Sequence, residues 1–512
     1  MTASISERFL FTSLVSILRG VINFVIVILI ARWLTPEDYG RMMFLLASFL
    51  AFKQLLDMST SQAFFTFISE QQRSKKFIKI FWFWVLIQFV ISILIIGFIL
   101  PKSLIEILWV GEDKLLILLA LMAAFSQNVI WPIASGMAES QRETIKVQKI
   151  SLFITLLHLL IIIFLWQIGK LAIPAILIAL LIEWLLGAFY VITLFNNFKN
   201  IDSSNLKNSE TLGSIFGEFW RYCAPLIPYA WMGFFYAFAD RWMLQHWGGS
   251  SEQAYYSLAR QFSVLTLLAT SSILIIFWKE ISEAYYQKNI DRVKILYRNT
   301  SRSLYAIGAF FTGAFFPWSK EILELFVGVE YTEGSMVLVL MLIYTVHQSM
   351  GQIGSSMLYA TKETKLQTIL GISFMGVSLI VAYFLMAPTD NVIFPGLGLA
   401  SEGLALKMVF LQIIQVNVLA WFISRKFGWK YEWAYQFFIL GGALVASWLI
   451  KILVQLLAMK VITSMIIFGF IYTTLSILLI YIKPSFVALN KIELREIILL
   501  IMTRVNPLKY KK

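Results

Sequence analysis

Uninterrupted apolar stretches of about twenty residues recur along almost the whole of this chain, and that is the length an α-helix needs to cross a bilayer. Lipid offers backbone N–H and C=O groups no partners, so segments inside it must hydrogen-bond internally, as helices or as a closed barrel. A barrel would read as segments of about ten residues alternating in polarity. The runs here are twice that length and do not alternate. With 59% hydrophobic residues over 512 positions, above the roughly 45–50% of a soluble domain, the chain reads as an all-α polytopic membrane protein.

Hydropathy predicts about fourteen transmembrane helices. The first six cover 9–31, 40–68, 77–100, 115–138, 150–167 and 171–195. The next six cover 219–240, 254–278, 301–326, 335–360, 366–386 and 397–423, and the last two 432–457 and 461–482. The first segment carries Arg19 at its middle and lacks a small-residue cleavage site, so it reads as a retained helix and not a signal peptide. Lys and Arg concentrate at the N-terminus, in alternate loops and in the tail. The opposite loops hold only Arg32, Arg41, Lys102, Lys114, Lys170, Arg241, Lys320 and Lys460. The positive-inside rule then puts both termini in the cytoplasm.

The two halves echo each other. Arg32-Trp33 returns as Arg241-Trp242, Ile68-Ser69-Glu70 as Ile281-Ser282-Glu283, and Gly136-Met137 as Ser356-Met357. The spacings drift only from 209 to 220 residues, so the order is kept. Duplication inside a membrane chain marks a transporter of two lobes. The expected organisation is an N-terminal lobe at 1–195, a cytoplasmic linker at 196–218 and a C-terminal lobe at 219–423. Two extra helices at 424–482 and a basic cytoplasmic tail at 483–512 follow. The two six-helix lobes are expected to be pseudo-symmetric.

Other function classes are disfavoured. The lone cysteine, Cys223, allows no internal disulfide. His158, His246 and His347 lie on separate segments without metal-ligand spacing. The net charge of +13 follows the alternate loops and leaves no soluble basic domain for nucleic acid. No GxxxxGK phosphate loop occurs, which argues against direct ATP drive. The loop from Lys320 to Glu333 is acidic (Glu321, Glu324, Glu330, Glu333) but short, and reads as solvated charge.

The stretch Ala31-Arg32-Trp33-Leu34-Thr35-Pro36-Glu37-Asp38-Tyr39-Gly40 resembles the join of the first two helices in polysaccharide-export flippases. Pro36 suits a first helical position, Glu37 and Asp38 suit a helix N-terminus, and Gly40 allows close packing. The segment Ser48 to Asp57 is similar to the same family, with Met58 standing where glycine often follows the aspartate. Gly396-Leu397-Gly398-Leu399-Ala400 is similar to its glycine-rich entry into the twelfth helix. The implied family is the O-antigen (Wzx-type) flippase branch of the multidrug/oligosaccharidyl-lipid/polysaccharide exporter superfamily. The resemblance implies translocation of an undecaprenyl-diphosphate-linked glycan from the cytoplasmic to the periplasmic leaflet of a bacterial inner membrane. Membrane lipids, polysaccharide polymerase and chain-length proteins are its implied partners, and no cofactor is implied beyond H+ or Na+ coupling.

Charges inside spanning helices cost about 3 kcal/mol each and usually face a cavity or a partner. Arg19 lies about 15 Å along its helix, near the midplane, with Asn23 one turn further on the same face. Lys53 and Asp57 share a face at i,i+4 and suit an ion pair. Arg260 lies early in the eighth segment, and Lys407 deep in the twelfth. In the related lipid II flippase, cations on the first, second and eighth helices bind the substrate diphosphate. The resemblance thus implies a cationic cavity lined by Arg19, Lys53 and Arg260; Asn23 and Asp57, which share faces with Arg19 and Lys53, and Lys407, by its depth, are added as cavity candidates. Glu183, deep in its segment and without a nearby base, and Asp240 are candidates for ion coupling. Glu402 and Lys451 read as interfacial. Pro132, Pro174, Pro225 and Pro228 are expected to kink or break helices. The rival readings are a drug/cation antiporter of the same superfamily, which would want an acidic cavity, and a membrane O-antigen polymerase or ligase, which would want a large outer loop.

Overall fold

The computed structural model describes residues 5–71, 73–195, 211–391 and 394–488. Most of the expected linker (196–210) and of the basic tail (489–512) lie outside the described residues. Helices occur in the order α1 (Ile5–Trp33), α2 (Pro36–Asp57), α3 (Thr60–Glu70), α4 (Lys75–Leu94), α5 (Lys102–Leu108), α6 (Lys114–Phe125) and α7 (Trp131–Ser140). They continue as α8 (Thr144–Gln167), α9 (Ile173–Phe195), α10 (Leu212–Cys223), α11 (Ile227–Met243), α12 (Ser250–Tyr286), α13 (Ile290–Phe315) and α14 (Ser319–Phe326). The last are α15 (Ser335–Ala360), α16 (Thr364–Met386), α17 (Ala400–Phe427), α18 (Ala434–Gln436), α19 (Gly442–Gln455) and α20 (Val461–Ile482). No strand occurs among the described residues.

Among the described residues, ten segments are long and apolar enough to cross a membrane, and the α2–α3 pair makes an eleventh if it is one span. The three remaining expected segments fall on α10–α11, α12 and α13. Pro225 lies in the short turn that separates α10 from α11, and Pro228 is the second residue of α11, while α12 and α13 carry charges at intervals, among them Arg260, Lys279 and Arg302. The protein is an all-α, multi-pass membrane protein.

Local chemistry explains where the helices start and break. The α2 N-terminus is capped by Thr35, whose hydroxyl accepts from the Asp38 N–H at 3.2 Å, with Pro36 as first residue and Glu37 and Asp38 in the first turn. The expected second helix is not continuous. It bends by 62° between α2 and α3, where Met58 and Ser59 both take left-handed backbone conformations (φ 45° and 67°). Pro174 is the second residue of α9 and starts that helix instead of kinking it.

The chain forms two compact units, Met1–Leu258 with Met375–Leu404, and Ala259–Phe374 with Ala405–Lys512. In the first, α1 packs on α8, α2 on α6 and α11, and α9 on α6, α7 and α8. Its aromatic core stacks Phe64 on Phe81 at 3.9 Å between ring centroids and Phe81 on Phe219 at 5.7 Å. Gly40 is obligatory there, because a Cβ would collide with the backbone carbonyl of Ser250 at the start of α12. In the second unit, α13 lies against α15 and α19, and α19 against α20. Its cores gather around Phe277, Ile281, Ile353 and Ile423, and around Trp318, Phe468 and Tyr472.

Candidate functional site

Arg19 occupies the middle of α1 and is half-buried. Its Nη1 donates to the side-chain oxygen of Gln148 on α8 at 3.4 Å, and its buried Nε has no hydrogen-bond partner among the described residues. The Glu139 carboxylate at the end of α7 interacts with both Gln148 and the guanidinium. Glu139 borders a cavity of about 370 Å³ whose other polar walls include Ser61, Gln62 and Ser135. Arg19 is thus held by a neutral amide and retains a donor, a state in which a guanidinium can take an oxyanion. Sequence reasoning missed Gln148 and Glu139, since nothing at those positions announces a partner more than a hundred residues away. Asn23, one turn beyond, is exposed.

Lys53 and Asp57 do not form the expected ion pair. Asp57 ends α2, and its Oδ1 accepts from the Ser61 N–H at 2.9 Å, the Ser61 hydroxyl at 2.5 Å and the Thr60 hydroxyl at 3.1 Å. It caps the start of α3, a task that competes with pairing. Lys53 feels its charge but makes no ion pair among the described residues.

Glu183 does have a base. His158 on α8 places Nδ1 at 3.2 Å from Glu183 Oε1 and 2.9 Å from Oε2, and both side chains are buried. The pair bridges α8 and α9, so the sequence separation hid it. Asp240 is buried in α11 beside Arg241, whose guanidinium donates to the Ser257 hydroxyl at 2.8 Å and lies over the Tyr256 ring. Arg32, which Arg241 echoes in the repeat, is exposed.

Arg260 and Lys407 belong to the second unit, whereas Arg19, Asn23, Lys53, Asp57, Glu183 and Asp240 belong to the first. Arg260 is exposed on α12, and Lys407 is fully buried in α17. Lys451 and Glu321, expected at an interface and in a solvated loop, pair with each other at 2.6 Å. Glu402 is exposed, in keeping with an interfacial place. No group of three or more His, Cys, Asp or Glu side chains suited to a metal occurs among the described residues.

Residues 6–277 match the family model described as "Polysaccharide biosynthesis protein", and residues 229–384 match the MatE model. No curated protein matches the chain in a sequence comparison. Among solved structures, the lipid II flippase MurJ in an inward closed conformation superposes with a TM-score of 0.68 at 15% identity, covering 91% of this chain and 98% of that one. An inward-facing multidrug resistance MATE family transporter of the MOP superfamily gives 0.56 at 14% identity, covering 80% and 94%. A MOP superfamily transporter from Pyrococcus furiosus, described as having a binding pocket of reversed polarity, gives 0.52 at 13% identity, covering 83% and 97%. At these identities the likeness speaks for the fold, which is that of MOP-superfamily flippases and transporters. The family model spans more than half of the sequence, and the chain therefore belongs to the polysaccharide biosynthesis protein family.

Proposed function

We propose that the protein flips an undecaprenyl-diphosphate-linked oligosaccharide from the cytoplasmic to the periplasmic leaflet of a bacterial inner membrane, for O-antigen or other surface-polysaccharide assembly. Both termini would lie in the cytoplasm. The observation that carries this reading is Arg19, a guanidinium midway along an apolar helix, held by an amide and with Nε unpartnered among the described residues. A diphosphate offers what such a fork takes best, planar pairs of anionic oxygens. Lys53, Arg260 and Lys407 would add positive charge along a cationic cavity used in alternating access, and the polyprenyl chain would stay in lipid. The membrane potential assists: a charge of −2 leaving an inside-negative cell gains about 4.6 kcal/mol at 100 mV. The His158–Glu183 pair is the better candidate for proton coupling, since a buried acid beside an imidazole can exchange a proton without exposing a lone charge. Asp240 is the second candidate.

The test is flipping of a polyprenyl-diphosphate oligosaccharide in reconstituted vesicles. Losing charged hydrogen bonds worth about 1.5–3 kcal/mol, Arg19→Ala should slow flipping about 10- to 100-fold, with Arg19→Lys intermediate. Undiminished flipping by Arg19→Ala would sink the cavity assignment. Export of a cationic drug with no flipping of the lipid would instead establish the antiporter reading.

A further inference from the structure

The second unit holds a built chamber that the reading above does not use. Lys294, Arg298 and Arg302 recur every four residues on α13 and so form one basic stripe. The segment between α17 and α18 folds over that stripe and adds Lys430 and Glu432. The pocket they line is half-open to the surface, has a volume of about 340 Å³ and sets four cations against one carboxylate. Aromatic rings, those of Tyr297, Trp429 and Tyr435, complete its walls.

Glu432 is shared by two guanidinium groups. Arg298 donates to its Oε1 at 2.7 Å and to Oε2 at 3.3 Å, and Arg302 also bonds Oε2. The Arg302 guanidinium rests 4.7 Å from the centroid of the Tyr435 ring. Two forks converging on one carboxylate are already arranged for a larger anion. The wall beside them is fixed by hydrogen bonds: the Tyr431 hydroxyl donates to Asn417 Oδ1 at 2.7 Å, and the Gln436 amide donates to the same atom at 3.1 Å. Burial pushes the Tyr431 hydroxyl well above the usual phenol range, so it stays a neutral donor.

Two further observations point to a ligand. Ser301 lines the chamber, is buried, and its hydroxyl has no hydrogen-bond partner among the described residues. Leaving such a group unmet costs about 1–3 kcal/mol, which an acceptor in the chamber would recover. Tyr431 and Gln436 also border a second cavity of about 720 Å³, whose other walls are mostly apolar, among them Ile343, Ile413 and Leu440. A basic chamber and an apolar one thus share a wall.

We propose that this pocket binds the phosphate headgroup of a lipid, through residues other than those the flippase reading uses. Arg298 and Arg302 grip the phosphate oxygens, Lys294 and Lys430 act as point charges, and the Ser301 hydroxyl donates. The hydrocarbon chain enters the apolar cavity. Glu432 holds the guanidinium pair ready and gives way to the more highly charged phosphate.

The experiment is native mass spectrometry of the full chain in detergent, with four probes: inorganic phosphate, an isoprenoid phosphate, phosphatidylglycerol and phosphatidylcholine. Expected is retention of one or both anionic lipids in preference to phosphatidylcholine. Ser301→Ala should weaken that binding several-fold, and Arg298→Gln with Arg302→Gln about tenfold or more. Glu432→Gln, which removes the internal competitor, should tighten it. Preference for the isoprenoid phosphate would name a polyprenyl lipid as the source, and equal retention of phosphatidylglycerol a bulk anionic lipid. Binding insensitive to both the arginine and the Glu432 changes, or binding of inorganic phosphate alone, would overturn the proposal. Thermal unfolding of each variant separates lost binding from lost folding, and the mild Ser301→Ala change keeps the test decisive if the arginine variants fail to fold.

Discussion

Arg19 and Lys451 are both cations carried on apolar helices, and the fold finishes them differently. Lys451 on α19 donates to Glu321 at 2.6 Å, also bonds the Pro317 carbonyl, and sits 4.4 Å from the centroid of the Trp318 ring. Its charge is neutralised and its donors are engaged. Arg19 has an amide 3.4 Å away, a more distant carboxylate and an unused Nε. A membrane cation whose needs are met locally is part of the scaffold. One whose needs are half met remains available to a passing anion, and conserving it costs stability without structural return.

That contrast can be broken by exchanging the two cations for methionine and glutamate for alanine. Arg19→Met should abolish most flipping, at least about tenfold, while leaving the thermal unfolding midpoint in detergent unchanged or higher, because a desolvated charge is removed. Arg19→Met lowering the midpoint with flipping intact would reverse the assignment. Glu321→Ala should do the opposite. It strands Lys451 in a partly buried site, and the cost is about 2 kcal/mol, between about 1 for an exposed pair and about 3–5 for a buried one. Flipping per folded molecule should hold, and Lys451→Met in the same chain should restore the midpoint.

The same contrast separates what the sequence announces from what it hides. The turn from Pro36 to Gly40 was readable because proline, acids and glycine act within one turn of their own positions. The structure supplies the Thr35 cap and, at Ser250, the backbone that Gly40 must admit. Ten of the fourteen expected membrane segments, and an eleventh as the bent α2–α3 pair, were equally readable among the described residues, since lipid imposes length and polarity on each one separately. The partners of buried charges were not. Gln148 is 129 residues from Arg19 and Glu183 is 25 from His158, and an i,i+4 spacing on α2 suggested a Lys53–Asp57 pair that helix capping supplanted. Such pairings depend on which helices lie side by side, information that is absent from any single segment. The basic stripe of α13 drew no notice as charge in the sequence, and only the fold of the α17–α18 segment over it made a pocket.

The buried pair on α8 and α9 stands between the two extremes, an acid and an imidazole that meet each other across two helices. Glu183→Gln keeps a hydrogen bond to His158 and removes the carboxylate, so stability should fall by only about 1 kcal/mol. If the pair carries protons, the dependence of flipping on an imposed pH gradient should disappear while the basal rate persists. An unchanged response to the gradient would assign the pair to the scaffold, alongside Lys451.

The smallest effect concerns the bend itself. Met58 holds φ 45°, a left-handed conformation that costs a side-chain-bearing residue about 1–2 kcal/mol. The bend persists because Asp57 caps α3 from the other side, so the strain is offset by hydrogen bonds and not by the identity of residue 58. Met58→Gly should therefore raise the unfolding midpoint by the equivalent of about 0.5–1 kcal/mol, the remainder being lost to glycine's greater freedom in the unfolded chain. Asp57→Ala should lower it, because the Ser61 N–H and two hydroxyls lose their acceptor. A fall in the midpoint on Met58→Gly would mean that the methionine side chain, which borders an apolar cavity with Trp84 and Phe219, contributes more by packing than its backbone loses by strain.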